Sequence, residues 1–466
     1  MERILERANA LVWGFPALIG ILGVGIYLTL ATGFAQVRLF PEALRRFGRM
    51  LTGKEGKSSF RSLCTALGAT VGTGNLVGVA GAIALGGPGS IFWMWICGFL
   101  GMATKYAEAV LAVRYRVWEK GEILGGPMYI LERGLGWGKL GKLYCFFGIL
   151  AACGVGNATQ IGAMVAGIRR ITGAWGHGGD LLLGLGLAML VGLLLSGGAR
   201  GIGQAAEKLV PLAAAGYIAL CVLALILCHD RIGGAFALIF RGAFNPGAVS
   251  GGMLGSACCA LRIGCSRGAF TNEAGMGTAA IAHGGAEVDH PVQQGMMGIL
   301  EVFLDTILIC TLTALVILCS GVPVPYGTDG GSDLTAAAFR KVCGGWTEVF
   351  LAGSLCCFAV ATILGWGFYG IRCARYLLGQ GSEKWFVILQ MGAALAGAVL
   401  EAAPVWLLAE TVNGLMAIPN LLALGALSGQ VVRLTGEYLP RIKKDGTGCE
   451  IRKKDYNGTQ RNPGGA

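Results

Sequence analysis

The chain has 466 residues, of which 54% are hydrophobic and 14% charged, with a formal net charge of +11. Soluble domains carry about 25% charged residues, so a chain this poor in charge lacks the polar surface for water. The apolar residues fall in long blocks, which excludes the short alternating segments of a β-barrel and indicates an all-α polytopic membrane protein.

Eleven spans are predicted, at about 11–34, 60–84, 89–113, 143–168, 181–197, 205–228, 252–282, 294–319, 347–371, 385–403 and 405–427. Each is near the roughly 20 residues that a helix needs to cross hydrocarbon. The apolar run Leu11 to Phe34 is too long for the h-region of a signal peptide and reads as a retained helix. The 80 glycines lie through the apolar blocks without a fixed period. In lipid, small residues let helix backbones approach and also permit helix breaks.

Lys and Arg alternate by side. Segments 35–61, 114–142, 198–208, 372–384 and 433–466 hold 26 of them, against 8 in the intervening segments and the N-terminus. Basic loops stay in the cytoplasm. The N-terminus is therefore expected outside, and the C-terminus with its basic tail inside. The net charge is explained by these loops, so no nucleic-acid partner is inferred. The tail, including Arg452-Lys453-Lys454, reads as a solvated end near anionic lipid. The 16 cysteines show no Cys-x-x-Cys spacing and read as small apolar residues.

Two spans are not smoothly apolar. The second contains Gly68-Ala69-Thr70-Val71-Gly72-Thr73-Gly74-Asn75, and the seventh contains Phe270-Thr271-Asn272-Glu273-Ala274-Gly275-Met276-Gly277-Thr278. Irregular backbone at membrane depth is tolerated only where protein buries it or a wet cavity meets it. The two breaks lie five spans apart. With the first span as an addition, spans 2–6 and 7–11 form two five-helix halves of inverted topology. Interrupted helices in matching positions of two halves point to a transporter's binding site. Freed N–H groups suit a carboxylate, and freed carbonyls suit Na⁺ or an ammonium group. The expected organisation is an N-terminal helix and connector (1–59), a core of two repeats (60–228 and 252–430) and a tail (431–466).

The stretches Gly72-Thr73-Gly74-Asn75, Gly86-Gly87-Pro88-Gly89, Met102-Ala103-Thr104-Lys105-Tyr106-Ala107-Glu108, Gly125-Gly126-Pro127-Met128-Tyr129, Phe270 to Thr278 and His290-Pro291-Val292-Gln293-Gln294-Gly295 resemble the alanine/glycine:cation symporter family. The resemblance covers most of residues 60–430. It implies the leucine-transporter-type 5+5 inverted-repeat fold with one added N-terminal helix, and sodium-coupled import of alanine and glycine. It also implies that Thr73, Gly74 and Asn75 line the substrate site, faced by Phe270, Thr271, Asn272 and Met276. Gln160, an isolated amide in the fourth span, serves equally as a substrate contact or as an interhelical hydrogen bond. Thr362 and Trp366 are four apart and share a helix face. The family uses that face at the site, which would make Trp366 a cap leaving room for about one methyl. Sodium is expected on the carbonyls of Ala69 and Gly72 and the Thr362 hydroxyl.

Three intramembrane acids, Glu273, Glu301 and Asp305, are functional candidates by default. Glu301 and Asp305 share a face, and a proton relay and a structural ion pair are both open to them. Arg262 and Arg267 are candidate partners, and structure or gating is the favoured role. Lys105 and Glu108 are expected to pair near the cytoplasmic end. The rival functions are a proton-coupled carrier of the same fold, a channel and an intramembrane enzyme. Two dissimilar breaks argue against a channel filter, which is a ring of like loops. No Ser/His pair, metal cluster or pair of catalytic carboxylates supports an enzyme. No obligate protein partner is inferred.

Overall fold

The computed structural model describes residues 12–53, 56–173, 176–244, 257–328, 331–400 and 402–445, with Arg7 and Asn9. Residues 252–256 of the seventh span and the tail beyond residue 445 lie outside the described residues, as do Arg452-Lys453-Lys454.

Helix α1 (Phe15–Ala31) starts on Pro16, whose fixed φ suits a first turn. Helix α2 (Phe40–Leu51) is amphipathic and lies at one end of the bundle. Its Ala43 and Met50 are buried, while Arg45 and Arg49 pair with Glu42 on the outer face. Helices α3 (Lys57–Thr70) and α4 (Gly74–Gly86) form the first interrupted pair, bent by 50°. Helix α5 (Ser90–Arg114) leads into a hairpin of β1 (Val117–Glu119) and β2 (Glu122–Leu124). The hairpin turns at Lys120 and Gly121, both with positive φ, as a tight two-residue turn requires.

Helix α6 (Gly138–Arg169) widens to i→i+5 bonding over Gly154–Ala158. Helices α7 (Gly176–Ser196), α8 (Gly198–Leu227) and α9 (Ile232–Phe244) follow. The second interrupted pair is α10 (Ala257–Asn272) and α11 (Thr278–His283). The His290-Pro291 motif starts α12 (Pro291–Ser320): proline takes the first turn and His290 Nδ1 accepts from the Val292 N–H at 3.3 Å. The remaining helices are α13 (Gly331–Cys343), α14 (Trp346–Leu378), α15 (Ser382–Val399) and α16 (Ala402–Asp445).

Each of the eleven expected spans falls on a helix or an interrupted pair. By length and apolarity, though, seven described helices are able to cross a membrane alone, or eight if α3 and α4 count as one span. Helix α1 has only 17 residues, α10 and α11 are separated by their break, and α15 opens on Ser382-Glu383-Lys384. Helices α2, α9 and α13 and the hairpin stand where only connectors were expected.

Among the described residues, the basic segments ahead of the tail gather at one end. Arg372 and Arg375 reach Glu122 of the hairpin at 2.8 and 2.6 Å, Arg46 reaches Gln293 at 3.4 Å, and Arg61 binds Glu207 at 3.0 Å. The opposite end is closed by α9 and α13, where Arg231 and Lys341 donate to the carbonyls of Cys319 and Gly321. Helix α14 packs against α3, α6 and α8, and α5 packs against α10 and α12. Both breaks are thereby held in the middle of the bundle.

Candidate functional site

Helix α3 ends at Thr70 and Val71 is extended, so the chain crosses residues 71 and 72 without regular helix. Asn75 holds this turn. Its Oδ1 accepts from the Gly72 N–H at 2.9 Å, and its Nδ2 donates to Asp305 Oδ1 at 2.7 Å. The break is thus tied to α12, at the point where that helix itself widens over Phe303–Cys310.

Gly72 is a position of close approach: a Cβ there would stand 2.6 Å from Thr362 Oγ1 on α14. The Thr362 hydroxyl is buried and has no hydrogen-bond partner among the described residues. Ala69 lies beside it, since a Cβ on Gly365 would meet the Ala69 nitrogen at 2.7 Å. Ala69, Gly72 and Thr362 therefore converge. The Thr362 hydroxyl thus faces the turn at Gly72, with Ala69 close by.

One residue further along, Thr73 donates to Gln160 Oε1 on α6 at 3.3 Å, and Gln160 Nε2 donates to the Val155 carbonyl at 3.0 Å. A Cβ on Gly74 would lie 3.7 Å from Thr271 Oγ1, so the first break touches the second. Across from them, Trp366 is fully buried, its Cβ side pressed on Gly156 and its edge on Tyr369 at 5.7 Å. Thr73, Thr271, Thr362 and Trp366 are all at most 3% exposed.

The second break is built from left-handed residues: Glu273 at φ 52°, Gly275 at 95° and Gly277 at 78°. Asn272 Oδ1 accepts from the Ala274 N–H at 3.0 Å, while its buried Nδ2 has no partner among the described residues. Phe270 and Met276 point elsewhere. Phe270 lies 6.3 Å from both Trp13 and Trp406, and Met276 is buried in a cluster with Trp13, Leu18 and Ile21. A cavity of about 220 Å³ lies between α4, α13 and α14, lined by Leu76, Val77, Thr335 and Glu348 among others. None of Thr73, Gln160, Thr271 and Trp366 lines it.

The charged residues correct the sequence reading. Lys105 does not pair with Glu108; its Nζ donates to Glu301 Oε1 at 2.9 Å, and both side chains are fully buried. Glu108 Oε1 instead accepts from the N–H groups of Gly275 and Gly277 at 2.9 and 3.1 Å, and from Asn420 Nδ2 at 2.7 Å. Arg267 lies 3.5 Å from Glu410 and Arg262 is exposed, so neither serves the three acids. Glu301 and Asp305 have separate partners, because the widened turn between them aims one at Lys105 and the other at Asn75. Asn420 and His283 were missed. An isolated amide after Pro419 in an apolar helix was the available signal for Asn420.

A helical membrane bundle with two interrupted helices meeting at its centre defines a transporter of the leucine-transporter type. The chain belongs to the sodium:alanine symporter family, whose family model matches residues 1–452. It is 43% identical over 445 residues to the sodium/alanine symporter AgcS of Methanococcus maripaludis, covering 93% of this chain and 96% of that one. It is 36% identical over 470 residues to the probable sodium/glutamine symporter GlnT of Bacillus subtilis, covering 99% of this chain and 96% of that one. The crystal structure of MhsT in complex with L-phenylalanine matches with a TM-score of 0.56 at 15% identity, over 81% of this chain and 97% of that one. That likeness concerns the fold alone.

Proposed function

We propose that this transporter imports alanine and glycine into the cell with sodium, by alternating access around the two breaks. The Thr362 hydroxyl carries the reading: it is buried, unpartnered among the described residues, and set against the carbonyl-rich turn at Gly72. A buried hydroxyl without a partner is costly and marks a place for a ligand. Sodium is bound by the carbonyls of Ala69 and Gly72 and by Thr362.

The amino acid lies between the breaks, against Thr73, Gly74, Asn75 and Gln160 on one side and Thr271 and Asn272 on the other. The Asn272 Nδ2, without a partner among the described residues, supports a polar group there. Phe270 and Met276 back this wall from the α1 side. Trp366 limits the side chain to about one methyl, a steric limit that is stronger than preference for a missing methylene. The name of AgcS agrees with this limit, whereas that of GlnT shows that relatives are assigned larger substrates. The basic end faces the cytoplasm by the positive-inside rule, with the N-terminus outside and the C-terminus inside.

Proton coupling is the second reading, supported by the buried linkage of Lys105, Glu301 and His283. Uptake of labelled alanine and glycine into proteoliposomes decides between the two. An inward sodium gradient is expected to drive accumulation. Accumulation driven by a proton gradient without sodium would overturn the sodium reading.

A further inference from the structure

The second break places a glutamate in a conformation that its neighbours reach with glycine. Glu273 has φ 52°, between an asparagine turn and the left-handed Gly275 and Gly277. A long side chain in that region is uncommon. A glycine at 273 would adopt the same backbone without strain. What the position gains from glutamate is therefore its carboxyl group.

That group is 3% exposed and has two partners on different elements. Its Oε1 accepts from the Trp366 indole N–H at 3.1 Å, and its Oε2 accepts from the Thr278 hydroxyl at 2.6 Å. Thr278 is the first residue of α11, and Trp366 is the large ring on α14. Trp366 is thus held at three points. Gly156 blocks it behind Cβ, Tyr369 meets its edge at 5.7 Å, and Glu273 holds the N–H. Gly156 and Tyr369 oppose the ring by contact, and an aromatic ring can still turn about its second torsion within such contacts. A hydrogen bond to the indole nitrogen fixes that torsion.

We propose that Glu273 is a positioning residue for substrate size: it orients the Trp366 ring and ties it to the second interrupted helix, so that the wall limiting the side chain keeps its place when the break rearranges. This inference rests on the reading of Trp366 as the cap of the substrate pocket. Glu273 touches no substrate in this scheme and acts through Trp366. Its effect therefore falls on selectivity and not only on rate.

The test is competition of glycine, alanine, serine, valine and leucine against labelled alanine in proteoliposomes, for the wild type and a set of variants. Glu273→Ala is expected to lower the alanine-over-valine ratio about tenfold, within the range that one or two methylenes command. Glu273→Gln keeps an acceptor for the indole and is expected to hold the ratio near that of the wild type. In a Trp366→Phe background, which lacks the N–H, Glu273→Ala is expected to shift the ratio no further. Should Glu273→Ala not fold, Glu273→Leu, close in size and without an acceptor, makes the same comparison. A ratio unchanged in Glu273→Ala, with uptake of all substrates reduced equally, would overturn the inference and leave Glu273 a structural residue. Trp366→Ala separates the two levels of the argument. If it leaves the ratio unchanged, the pocket reading itself fails. If it admits valine and leucine while Glu273→Ala does not, the positioning role alone fails.

Discussion

Lys105 Nζ and Glu301 Oε1 are 2.9 Å apart in the fully buried interior, on helices α5 and α12. The pair continues outward. Glu301 Oε2 meets His283 Nε2 at 2.9 Å, His283 Nδ1 meets Gln294 Nε2 at 2.7 Å, and Ser59 donates to Gln294 Oε1 at 2.5 Å. Five side chains thus link α3, α5, α11 and α12, including the outer part of both interrupted pairs.

Removing one partner of a buried ion pair leaves an uncompensated charge, which costs about 3–5 kcal/mol. Lys105→Met is therefore expected to lower the thermal midpoint of the purified protein sharply. The double variant Lys105→Met with Glu301→Met is expected to recover much of that loss, because two apolar side chains of similar volume remove both charges. Thermal unfolding in detergent checks this, and a double variant less stable than the single would contradict it.

At the proposed cation position, Thr362→Ala removes a hydroxyl that has no partner among the described residues, while Gly72→Ala fills the space before it. Loss of a single oxygen ligand is expected to raise the sodium concentration for half-maximal uptake about tenfold, equivalent to about 1.4 kcal/mol. Gly72→Ala is expected to abolish sodium-driven uptake, because its Cβ would stand 2.6 Å from Thr362 Oγ1. Sodium titrations of alanine uptake measure both effects, and an unchanged sodium dependence in both variants would place the ion elsewhere.

Gly156→Ala would bring a Cβ within 2.2 Å of Trp366 Cβ, so the ring or α6 must shift. Overpacking of this kind costs about 1–3 kcal/mol. Lower thermal stability together with weaker alanine uptake is expected. Normal uptake would show that Trp366 tolerates displacement and does not set the pocket.

The hairpin offers a pH-dependent contact outside the membrane. Glu119 is held below the usual carboxylate range by hydrogen bonding from Gln380, and Glu122 by hydrogen bonding from Arg372. A depressed folded value stabilises above the ordinary carboxylate pKa and is lost as pH falls through the depressed value. Both groups are largely exposed, so solvent screening keeps the effect small. Amide protection of residues 117–124, with exchange corrected for its intrinsic pH dependence, is expected to be steady near neutral pH and to fall below about pH 4. Protection that does not change down to about pH 3 would show that these pairs do not hold the hairpin.

Chain order alone reveals the membrane class, the segregation of basic segments and both breaks. Each is a local matter: apolar run length, Lys and Arg between runs, and Gly, Thr and Asn where Leu and Val would otherwise pack. The convergence of Ala69, Gly72 and Thr362 was legible through family resemblance, since nothing local links residue 72 to residue 362. The partners of the intramembrane charges were not legible. Lys105 and Glu301 are 196 positions apart, and Glu108 meets Gly275 across 167. Helical spacing favoured the neighbours Lys105 and Glu108, but each of these buried charges is paired from other parts of the bundle. The sequence by itself thus determined a helical membrane protein with two interrupted helices. Only the tertiary structure decided which charges meet, that Phe270 and Met276 turn toward α1, and that Glu273 holds Trp366. Those choices depend on which distant helices pack together in the bilayer, where a buried polar group gains by finding a partner within the protein.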